Sequence, residues 1–492
     1  MRVIGDGNIE VAGITHDSRN VQPGDIFAAF KGERVDGTRF VSGAKDAGAV
    51  AVLCEDALDV ELPQLVISDA RGRLGEVAAA CFNYPGRALN LIGITGTNGK
   101  TTITYLVESI LKHAKMDCGV MGTVEYRYGD QKWQAEHTTP EATVVQSIMR
   151  KMVDAGARAL AMEVSSHGLA LGRINGCDFD VVAFTNLTQD HLDFHQTMQA
   201  YGEAKMQLFT GMIAQRPAAK AVVNLDDDFS RHIINRCRHE IIGISLESNP
   251  EATLFPAMPP VYSIEGTEAH IHSPEGVVVL KSNLCGEHNL NNLLVAFGIC
   301  RALGISNDTV KEALAHIRSV PGRLERVPCD LGFSVFVDYA HTPDALVNVL
   351  RVLKPMTPGR LICVFGCGGD RDGAKRPVMG AAVAEYSDIA LITSDNPRTE
   401  DPARIIEMIV PGLKKFQIQE IEPSRLAEAS AGYITVLNRQ EAIEHAIAAA
   451  RPGDAVLLAG KGHEDYVIIG REKFHLDDRE EAAKAIANRK NA

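Results

Sequence analysis

Short apolar runs alternate along the chain with stretches of helical periodicity. In the first part of the chain the apolar runs are 25–30, 49–55 and 64–68, and helical spacing covers 71–83. Uninterrupted runs of this length are typical of buried strands, and repeated strand–helix alternation is typical of a mainly parallel sheet covered by helices. The pattern therefore predicts an α/β fold that begins with a small α/β domain at residues 1–87.

The same alternation continues through the rest of the chain. Helices are predicted at 101–114 and 142–156, and strands at 157–167, 180–187, 218–227, 333–341, 360–369, 388–396 and 454–462. A length of 492 residues fits three domains at roughly 100–200 residues each. We predict a central domain at 88–319 with a parallel sheet of the P-loop ATPase type, and a Rossmann-like C-terminal domain at 320–492.

One apolar run leads through a glycine-rich loop into a helix, and residues 91–102 read LIGITGTNGKTT. Glycines let such a loop turn its N–H groups inward, and the helix N-terminus adds the positive end of its dipole. Lys100 can then reach the outer phosphates, and the Thr101 hydroxyl can contact magnesium. Ile94 stands where the usual pattern G-x-x-x-x-G-K-[ST] has a glycine. The order of strand, loop, Lys-Thr and helix still favours a nucleotide site over an ordinary turn.

Composition and charge narrow the class of protein. The net charge is -13, and basic clusters are sparse, which argues against nucleic-acid binding. There is no apolar run long enough for a transmembrane helix and no basic-then-apolar signal at the N-terminus. The ten cysteines are scattered, so we interpret them as reduced thiols. We expect a cytoplasmic protein without membrane insertion.

Polar residues follow the predicted strands of the central domain. Glu163 is the expected second magnesium contact, because an acidic residue at the tip of a neighbouring strand commonly partners the hydroxyl of a phosphate loop. His191, taken alone, reads as a hydrogen-bonded surface histidine. Lys205 lies on a predicted amphipathic helix, and from the residues alone it reads as a solvated side chain.

A magnesium–nucleotide site of this kind leaves three classes of protein open. They are an ATP-dependent ligase that activates a carboxylate as an acyl phosphate, a small-molecule kinase, and a mechanical or regulatory NTPase. No segment points to the arginine finger that the third class commonly uses. Release of ADP and phosphate that requires two further substrates together would indicate the ligase.

Ordered motifs over essentially the whole length make the choice more specific. The chain resembles the Mur ligase family, and GTNGKT is the form that this family gives to its phosphate loop. The matching motifs are GTNGKTT (96–102), TTP (138–140), EVSSHGL (163–169), FTNLTQDHLDFH (184–195), YGEAKMQLF (201–209), GEHNLNN (286–292), PGRLE (321–325), VDYAHTPDAL (337–346), GCGGDRD (366–372), SDNPR (394–398) and AGKGHEDY (459–466).

The resemblance implies an enzyme of peptidoglycan synthesis, and hence of cell wall biogenesis, cell shape, cell division and the cell cycle. Its substrates would be ATP, UDP-N-acetylmuramoyl-L-Ala-D-Glu and meso-diaminopimelate, with Mg²⁺ as cofactor, and we expect a monomer. ATP would phosphorylate the γ-carboxylate of the D-glutamyl residue, and the amine would attack the acyl phosphate. The close alternative is the lysine-adding ligase of the same family. A more distant one is a folylpolyglutamate synthetase, which should lack the N-terminal sugar-nucleotide domain.

The family pattern also implies residue roles around the nucleotide. Thr101 and Glu163 would hold one magnesium ion, and His191 would help a carbamylated Lys205 to hold a second. The implied catalytic residues are Lys100, Glu163, His191 and Lys205. The implied ATP contacts are Gly96, Thr97, Asn98, Gly99, Lys100, Thr101, Thr102, Asn292, Arg323 and Asp338.

The two other substrates receive their own implied contacts. Arg398 and Arg371 are suited to grip the distal carboxylate of meso-diaminopimelate, which lysine lacks, and Glu464 could pair with the distal ammonium. The implied amino-acid contacts are Arg371, Asp395, Asn396, Pro397, Arg398, Gly460 and Glu464. Those to the UDP-sugar-peptide are Ser18, Glu33, Arg34, Val35, His137, Thr138, Thr139, Ser165 and Arg173.

Overall fold

The computed structural model describes residues 1–31, 35–212, 216–247 and 249–491. The predicted α/β class is confirmed, because helices and mainly parallel sheets alternate along the chain. The chain forms two compact units. The first comprises 1–259, 270–280 and 291–314, and the second comprises 260–269, 281–290 and the part from Ala315 onward.

The first unit begins with a five-stranded sheet in the order β1-β5-β4-β3-β2, in which only β1 is antiparallel to its neighbour. Its buried strands coincide with the apolar runs of the sequence. Pro85 is buried in a short 3-10 helix, Pro85–Ala88, at the predicted boundary between the first two domains. The elements are β1 (Arg2–Ile4), β2 (Gly13–Thr15), β3 (Asp25–Ala28), α1 (Val41–Asp46), β4 (Ala51–Cys54), β5 (Gln64–Val66) and α2 (Leu74–Cys81).

The first unit also contains an eight-stranded sheet in the order β13-β12-β11-β6-β10-β7-β8-β9. All of its pairings are parallel except those of β8 and β9. Its elements are β6 (Asn90–Thr95), α3 (Lys100–His113), β7 (Cys118–Met121), β8 (Tyr126–Tyr128), β9 (Gln131–Trp133), α4 (Ala142–Asp154), β10 (Ala159–Glu163), α5 (Ser166–Ala170), β11 (Val181–Phe184), α6 (Leu192–His195), α7 (Met198–Gln207), β12 (Lys220–Asn224), α8 (Ser230–Arg236) and β13 (Glu240–Ile244).

Strand β6 lies between β10 and β11, and this order positions the candidate site. Glu163 pairs with Ile94, and Phe184 pairs with Thr95, so the three strands end at the same edge. Ligands of open α/β sheets bind at such an edge, where the strand order reverses. The phosphate loop follows β6 directly.

A small antiparallel sheet and two helices follow, and the boundary between the units runs through them. The sequence pattern did not predict these strands, because β16 alternates buried and partly exposed residues instead of forming a continuous apolar run. The elements are β14 (Phe255–Pro256), β15 (Val261–Ser263), β16 (Gly266–Ser273), β17 (Gly276–Ser282), α9 (Glu287–Ala302) and α10 (Asn307–His316).

The second unit contains a six-stranded sheet in the order β18-β19-β23-β20-β21-β22, parallel except for β18. β19, β20, β21 and β23 coincide with the predicted strands. The elements are β18 (Glu325–Val327), β19 (Ser334–Asp338), α11 (Pro343–Met356), β20 (Leu361–Phe365), α12 (Lys375–Tyr386), β21 (Ile389–Ile392), α13 (Pro402–Lys415), β22 (Gly432–Thr435), α14 (Arg439–Ala449), β23 (Ala455–Ala459), β24 (Tyr466–Ile469), β25 (Glu472–His475) and α15 (Asp478–Asn491). Throughout the described ranges, no helix has both the length and the apolar character needed to cross a bilayer.

Candidate active site

Two glycines with positive φ shape the phosphate loop between β6 and α3. Gly96 has a φ of 147° and Gly99 a φ of 91°, which side chains with a Cβ rarely adopt. A Cβ on Gly96 would lie 1.8 Å from Oγ1 of Thr185, and a Cβ on Gly99 would lie 2.4 Å from Oδ1 of Asn292. Both positions therefore require glycine, and Asn292, one of the implied ATP contacts, lies against the loop.

The residues that follow β11 hold the loop backbone in shape. Thr185 Oγ1 donates to the carbonyl of Asn98 at 2.6 Å, and Asn186 Oδ1 accepts the N–H of Asn98 at 2.9 Å. The carbonyl of Asn186 accepts the N–H of Thr97 at 2.8 Å. The loop is thus ordered by protein contacts, which lowers the entropic cost of ordering it around a ligand.

Lys100 begins α3 and reaches back over the loop. Its Nζ donates to the carbonyls of Gly96 and Thr97 at 2.9 and 2.8 Å. A phosphate oxygen carries more negative charge than a carbonyl and is the stronger acceptor for an ammonium group. The geometry therefore suits the implied role of Lys100 in neutralising a phosphoryl group.

Glu163 ends β10 and is 1% exposed. Its Oε2 accepts hydrogen bonds from Oγ1 of Thr101 and Oγ1 of Thr123, each at 3.0 Å, and its Oε1 accepts the N–H of Thr123 at 2.9 Å. Thr101 and Glu163, which the sequence predicts to act together, are therefore in direct contact. Sequence reasoning missed Thr123, because a lone threonine after a short strand carries no distinguishing signal.

The donor set at Glu163 has the chemistry of a magnesium site. Hydroxyl and carboxylate oxygens are the ligands that Mg²⁺ prefers, but Thr101 and Glu163 provide only part of an octahedral shell. In the residues that the structure describes, no group of three or more histidine, cysteine, aspartate or glutamate side chains is arranged to hold a metal ion. Nucleotide phosphates and water would have to supply the remaining oxygens.

Lys205 lies near the end of α7 and is 1% exposed, so its interpretation as a solvated side chain is wrong. Its Nζ donates to the carbonyl of Gly96 at 2.9 Å and lies 4.3 Å from the centroid of the Tyr201 ring. Burial, reinforced by the charge of Lys100, lowers the pKa of Lys205 well below its ordinary value. Because α7 has no pronounced apolar stripe, the sequence pattern gives no sign that this side chain is buried.

Three histidines pack near α7. The ring centroid of His167 lies 4.8 Å from that of His191 and 5.5 Å from that of His195. Burial lowers the pKa of all three imidazoles, and the charges of the two lysines described above add to this effect at His191. His191 is half-exposed, and its Nε2 lies 3.5 Å from Asp190. A neutral imidazole can act as a metal ligand, so His191 can take the implied role.

Four residues implied in binding the muramyl peptide connect to Glu163. Thr139 Oγ1 donates to the carbonyl of Glu163 and accepts the N–H of Ser165, both at 2.9 Å. Arg173 Nη1 donates to the carbonyl of Thr139 at 3.0 Å. Thr138 Oγ1 lies 3.1 Å from the threonine hydroxyl that holds Glu163. One hydrogen-bonded network thus joins the predicted magnesium contact to these predicted substrate contacts.

Among the described residues, Ser18, Val35 and His137, which are also implied in binding this substrate, are not joined to that network. Ser18 begins a short 3-10 helix, Val35 is exposed, and the carbonyl of His137 accepts the hydroxyl of Tyr126 at 2.5 Å. Glu33 and Arg34 lie outside the described residues.

A cavity of about 180 Å³ adjoins Arg173. Its lining includes His16, Phe30, Arg71, Glu141 and Arg173. Arg173 Nη2 lies 2.7 Å from Oε1 of Glu141, and the guanidinium of Arg71 lies 5.6 Å from the centroid of the Phe30 ring. The cavity brings residues near the first sheet together with residues that follow strands of the second sheet, and its polar lining suits a polar ligand.

In the second unit, the loops after β21 and β23 meet at one edge of the sheet. Asn396 Nδ2 donates to Oε2 of Glu464 at 2.9 Å, while Asn396 Oδ1 accepts the N–H of Ile468 at 2.9 Å. Asp395, Asn396 and Pro397 are buried, and Gly460 is adjacent to Asp395. The structure therefore brings together most of the residues implied in amino-acid binding.

Arg398 is positioned by unusual backbone and side-chain contacts. Its φ of 51° is rare for a residue with a Cβ. Its N–H donates to the carbonyl of Ile468 at 3.0 Å, and its Nη1 donates to the carbonyl of Gly369 at 2.7 Å. Arg371 is exposed, with Nη1 lying 3.4 Å from the carbonyl of Asp370. Such backbone strain concentrates at functional sites.

Lys461 lies two residues beyond the end of β23 and is fully buried among these residues. Its Nζ lies 3.3 Å from Oδ1 of Asn396, 3.4 Å from Oε2 of Glu464 and 3.6 Å from Oδ1 of Asp395. The family motif AGKGHEDY contains Lys461, but the sequence predicted no role for this residue. The available signal was a charged residue two positions after an uninterrupted apolar strand.

A buried ion pair supports the same two loops from α14 and α15. Arg439 Nη2 donates to Oδ2 of Asp478 at 2.6 Å and to the carbonyl of Ala459 at 2.9 Å. Its Nη1 donates to the carbonyl of Ser394 at 3.4 Å. Arg439 thus ties the end of β23 to the loop after β21, and no sequence motif marked it.

Two of the implied ATP contacts belong to the second unit. The oxygens of Asp338 accept the N–H groups of Leu324 and Ala340 at 2.7 and 2.8 Å, and burial raises the pKa of Asp338. The guanidinium of Arg323 lies 5.2 Å from the centroid of the Tyr339 ring.

Comparison with known proteins gives family matches along most of the chain. The matching families are described as "Mur ligase family, catalytic domain" at 10–82, "Mur ligase middle domain" at 94–300 and "Mur ligase, glutamate ligase domain" at 322–462. A curated relative from Geobacter metallireducens, named UDP-N-acetylmuramoyl-L-alanyl-D-glutamate--2,6-diaminopimelate ligase, is 44% identical over 97% of this chain and 94% of its own length. A relative of the same name from Synechococcus elongatus is 44% identical over 99% of this chain and 96% of its own length.

Solved structures show the same similarity. A structure of a protein with that name is 35% identical, with a TM-score of 0.72, and the match covers 98% of this chain and 96% of that one. The MurF ligase of Thermotoga maritima in complex with ADP is 18% identical, with a TM-score of 0.63, over 99% of this chain and 100% of that one. At that identity the likeness shows the fold alone.

Proposed function

The chain belongs to the Mur ligase family, and we propose that it joins meso-diaminopimelate to UDP-N-acetylmuramoyl-L-Ala-D-Glu at the expense of ATP. The reaction would serve peptidoglycan precursor synthesis, and through it cell wall biogenesis, cell shape and cell division. The relatives that match almost the whole chain carry names with these two substrates. The observation that carries the proposal is the cluster of Asn396, Arg398 and Glu464 at one sheet edge.

The reaction has two steps. First, an oxygen of the D-glutamyl γ-carboxylate attacks the γ-phosphorus of ATP, and ADP leaves. Second, the lone pair of the incoming amine attacks the carbonyl carbon of the acyl phosphate, the amine loses a proton, and phosphate leaves as the amide forms. Charge on the transferring phosphoryl group must be neutralised in the first step and charge on the leaving phosphate in the second.

The phosphate loop would do much of this work. Lys100 would exchange its two carbonyl acceptors for phosphate oxygens, and the loop N–H groups would donate to the same phosphates. Asn292, Arg323 and Asp338 would contact the rest of the nucleotide. Mg²⁺ held by Thr101 and Glu163 would supply positive charge at the phosphate oxygens, and the contact between those two side chains supports the assignment.

We propose that Lys205 is carbamylated. Carbamylation requires an uncharged amine, which attacks carbon dioxide and releases a proton, and the lowered pKa of Lys205 favours that form. The product, a carbamate, carries a negative charge next to Lys100. With His191 it would provide oxygen and nitrogen ligands for a second magnesium ion.

We propose that the domains divide the substrates as 1–87 for the UDP-sugar, 88–319 for ATP and 320–492 for the amino acid. The muramyl peptide would contact Thr138, Thr139, Ser165 and Arg173. The hydrogen-bonded network through which these residues reach Glu163 supports a γ-carboxylate close to the phosphate loop. Ser18, Val35 and His137 would bind other parts of this substrate.

The amino-acid site would recognise both charged groups at the distal end of the diamino acid. Arg398 and Arg371 would bind the distal carboxylate, and Glu464 would bind the distal ammonium. L-lysine offers these two guanidinium groups no carboxylate, so it should be disfavoured by ~10²-fold or more.

The test is phosphate release with UDP-N-acetylmuramoyl-L-Ala-D-Glu and ATP, comparing meso-diaminopimelate with L-lysine. We expect release with meso-diaminopimelate and a kcat/KM for L-lysine lower by ~10²-fold. Arg398→Ala should reduce this preference by lowering only the value for meso-diaminopimelate, and Arg404→Ala, on the nearby helix α13, is the matched control. Equal rates with the two amino acids would refute the assignment of Arg398, and no release with either would refute the function.

A further inference from the structure

We propose that Lys461 is a positioning residue of the amino-acid site, where it orients Glu464 and offsets the charge of a second carboxylate, that of Asp395. The inference rests on the proposed function, because it concerns the same site. Lys461 is fully buried, and a buried lysine ammonium is costly unless it is paired and hydrogen-bonded. Its three nearest oxygens all belong to residues implied in binding the amino acid.

The hydrogen bonds of Asn396 set the geometry. Because Asn396 Oδ1 accepts the N–H of Ile468, the amide must direct its Nδ2 toward Glu464. Oε2 of Glu464 therefore accepts from both Asn396 Nδ2 and Lys461 Nζ, at 2.9 and 3.4 Å. Within the described part of the chain no hydrogen bond reaches Oε1 of Glu464, so this oxygen remains for an ammonium group of the substrate.

The charges of the cluster give Lys461 a second task. Asp395 and Glu464 both lie within 3.6 Å of its Nζ, and Oδ1 of Asp395 is buried without a hydrogen-bond partner among the described residues. Two carboxylates so close together repel each other unless a cation lies between them. With Lys461 present the three groups carry one net negative charge, which matches a single ammonium group.

Lys461 is not placed to touch the reacting atoms. Its side chain has no exposed surface, and it contacts the side chains that would meet the substrate. Its loss should therefore weaken binding of the amino acid and leave the nucleotide site unchanged. Indirect supporting residues of this kind typically change affinity or activity by ~10–100-fold.

The experiment measures KM for each substrate and kcat in Lys461→Met, Lys461→Gln and the wild type, together with calorimetric binding of meso-diaminopimelate in the presence of ADP. We expect KM for meso-diaminopimelate to rise about tenfold or more in both variants, while KM for ATP changes less than about twofold. The glutamine variant keeps a hydrogen-bond donor, so it maintains the fold if methionine does not.

Two further variants separate the charge argument from a packing defect. Lys473→Met removes an exposed lysine on β25 whose Nζ lies 4.0 Å from the centroid of the Tyr466 ring, and it should behave as wild type. In an Asp395→Asn background the Lys461→Met change should raise KM by a smaller factor than it does in the wild type, because less negative charge then needs to be offset.

The outcomes are distinct for the two proposals. If the wild type turns over meso-diaminopimelate but a folded Lys461→Met variant keeps its KM within about twofold, the inference is overturned and the proposed function stands. An equal rise in KM for all substrates, or an undiminished effect in the Asp395→Asn background, also overturns it. A wild type that does not use meso-diaminopimelate refutes the proposed function itself.

Discussion

Two buried lysines, one in each compact unit, have opposite surroundings. Within the described ranges Lys205 has a single backbone carbonyl as its hydrogen-bond acceptor, and the repulsion of Lys100 outweighs the attraction of Asp190. Lys461 lies among Asp395, Asn396 and Glu464, which favour a cation. Both side chains are almost inaccessible to solvent, so burial alone does not explain the difference.

The contrast indicates two uses of one residue type. Burial without a carboxylate partner favours the neutral, nucleophilic amine, and burial among carboxylates favours a fixed positive charge. Lys205 is thus suited to react with carbon dioxide, and Lys461 is suited to hold other side chains in place.

The largest expected effect is on activity at Lys205. Lys205→Ala should lower kcat by about 10³-fold, because the second magnesium ion would lose its carbamate ligand, and the transferring phosphoryl group would lose the positive charge of that ion. Added short-chain carboxylates should restore part of the rate, since they can occupy the space of the carbamate. The same carboxylates should not restore Lys461→Met. Full activity of Lys205→Ala would contradict the proposed carbamylation.

Labelling checks the chemistry directly. Wild-type protein in ¹³C-bicarbonate should show one carbamate resonance, which is absent in Lys205→Ala and present in Lys461→Met. A resonance that persists in Lys205→Ala would mean that another amine reacts.

The next effect is on stability at Lys461. Lys461→Met should lower the free energy of unfolding by about 3 kcal/mol, because it leaves the buried carboxylate of Asp395 without its cation. Urea unfolding at pH 7 measures this, with Lys473→Met as the exposed control, for which we expect no change. A Lys461→Met variant as stable as the wild type would show that this carboxylate does not need the cation.

The smallest expected effect is a gain in stability on replacing Lys205. In buffer free of carbon dioxide, Lys205→Met should raise the free energy of unfolding at pH 7 by roughly 1 kcal/mol, because the native site disfavours a protonated lysine that the unfolded chain carries freely. Between the lowered folded pKa and the ordinary value of 10.5, the unfolded chain binds more protons, so wild-type stability rises with pH. The advantage of Lys205→Met should therefore shrink as the pH approaches 10.5. An advantage independent of pH would point to packing instead of charge.

The sequence predicted the parts of the fold that rest on long apolar runs. β6, β10 and β11 are almost entirely buried, so their periodicity is unambiguous, and the polar residues at their ends could be grouped by the rule for parallel sheets. The small sheet around β16 could not be predicted in this way, because its half-exposed strands resemble loops in composition. The contact between Thr101 and Glu163 follows from the same rule, whereas Thr123, which holds Glu163, does not.

The two lysines show the limit of sequence reasoning more clearly. Whether a lysine is buried depends on which elements pack over it, and neither the helix of Lys205 nor the loop of Lys461 carries that information locally. The family pattern implied a role for Lys205 but none for Lys461 or Arg439. Residues that act through other side chains become visible only when the distances are known.

The carbonyl oxygen of Gly96 accepts hydrogen bonds from both Lys100 and Lys205, each at 2.9 Å. With Lys205 carbamylated as proposed, one of these two donors is chemically altered while the other turns to the nucleotide. The carbonyl oxygen of Gly96 would then couple the concentration of dissolved carbon dioxide to the binding of ATP. The pace of wall assembly would depend on a dissolved gas that is neither consumed nor produced by the reaction.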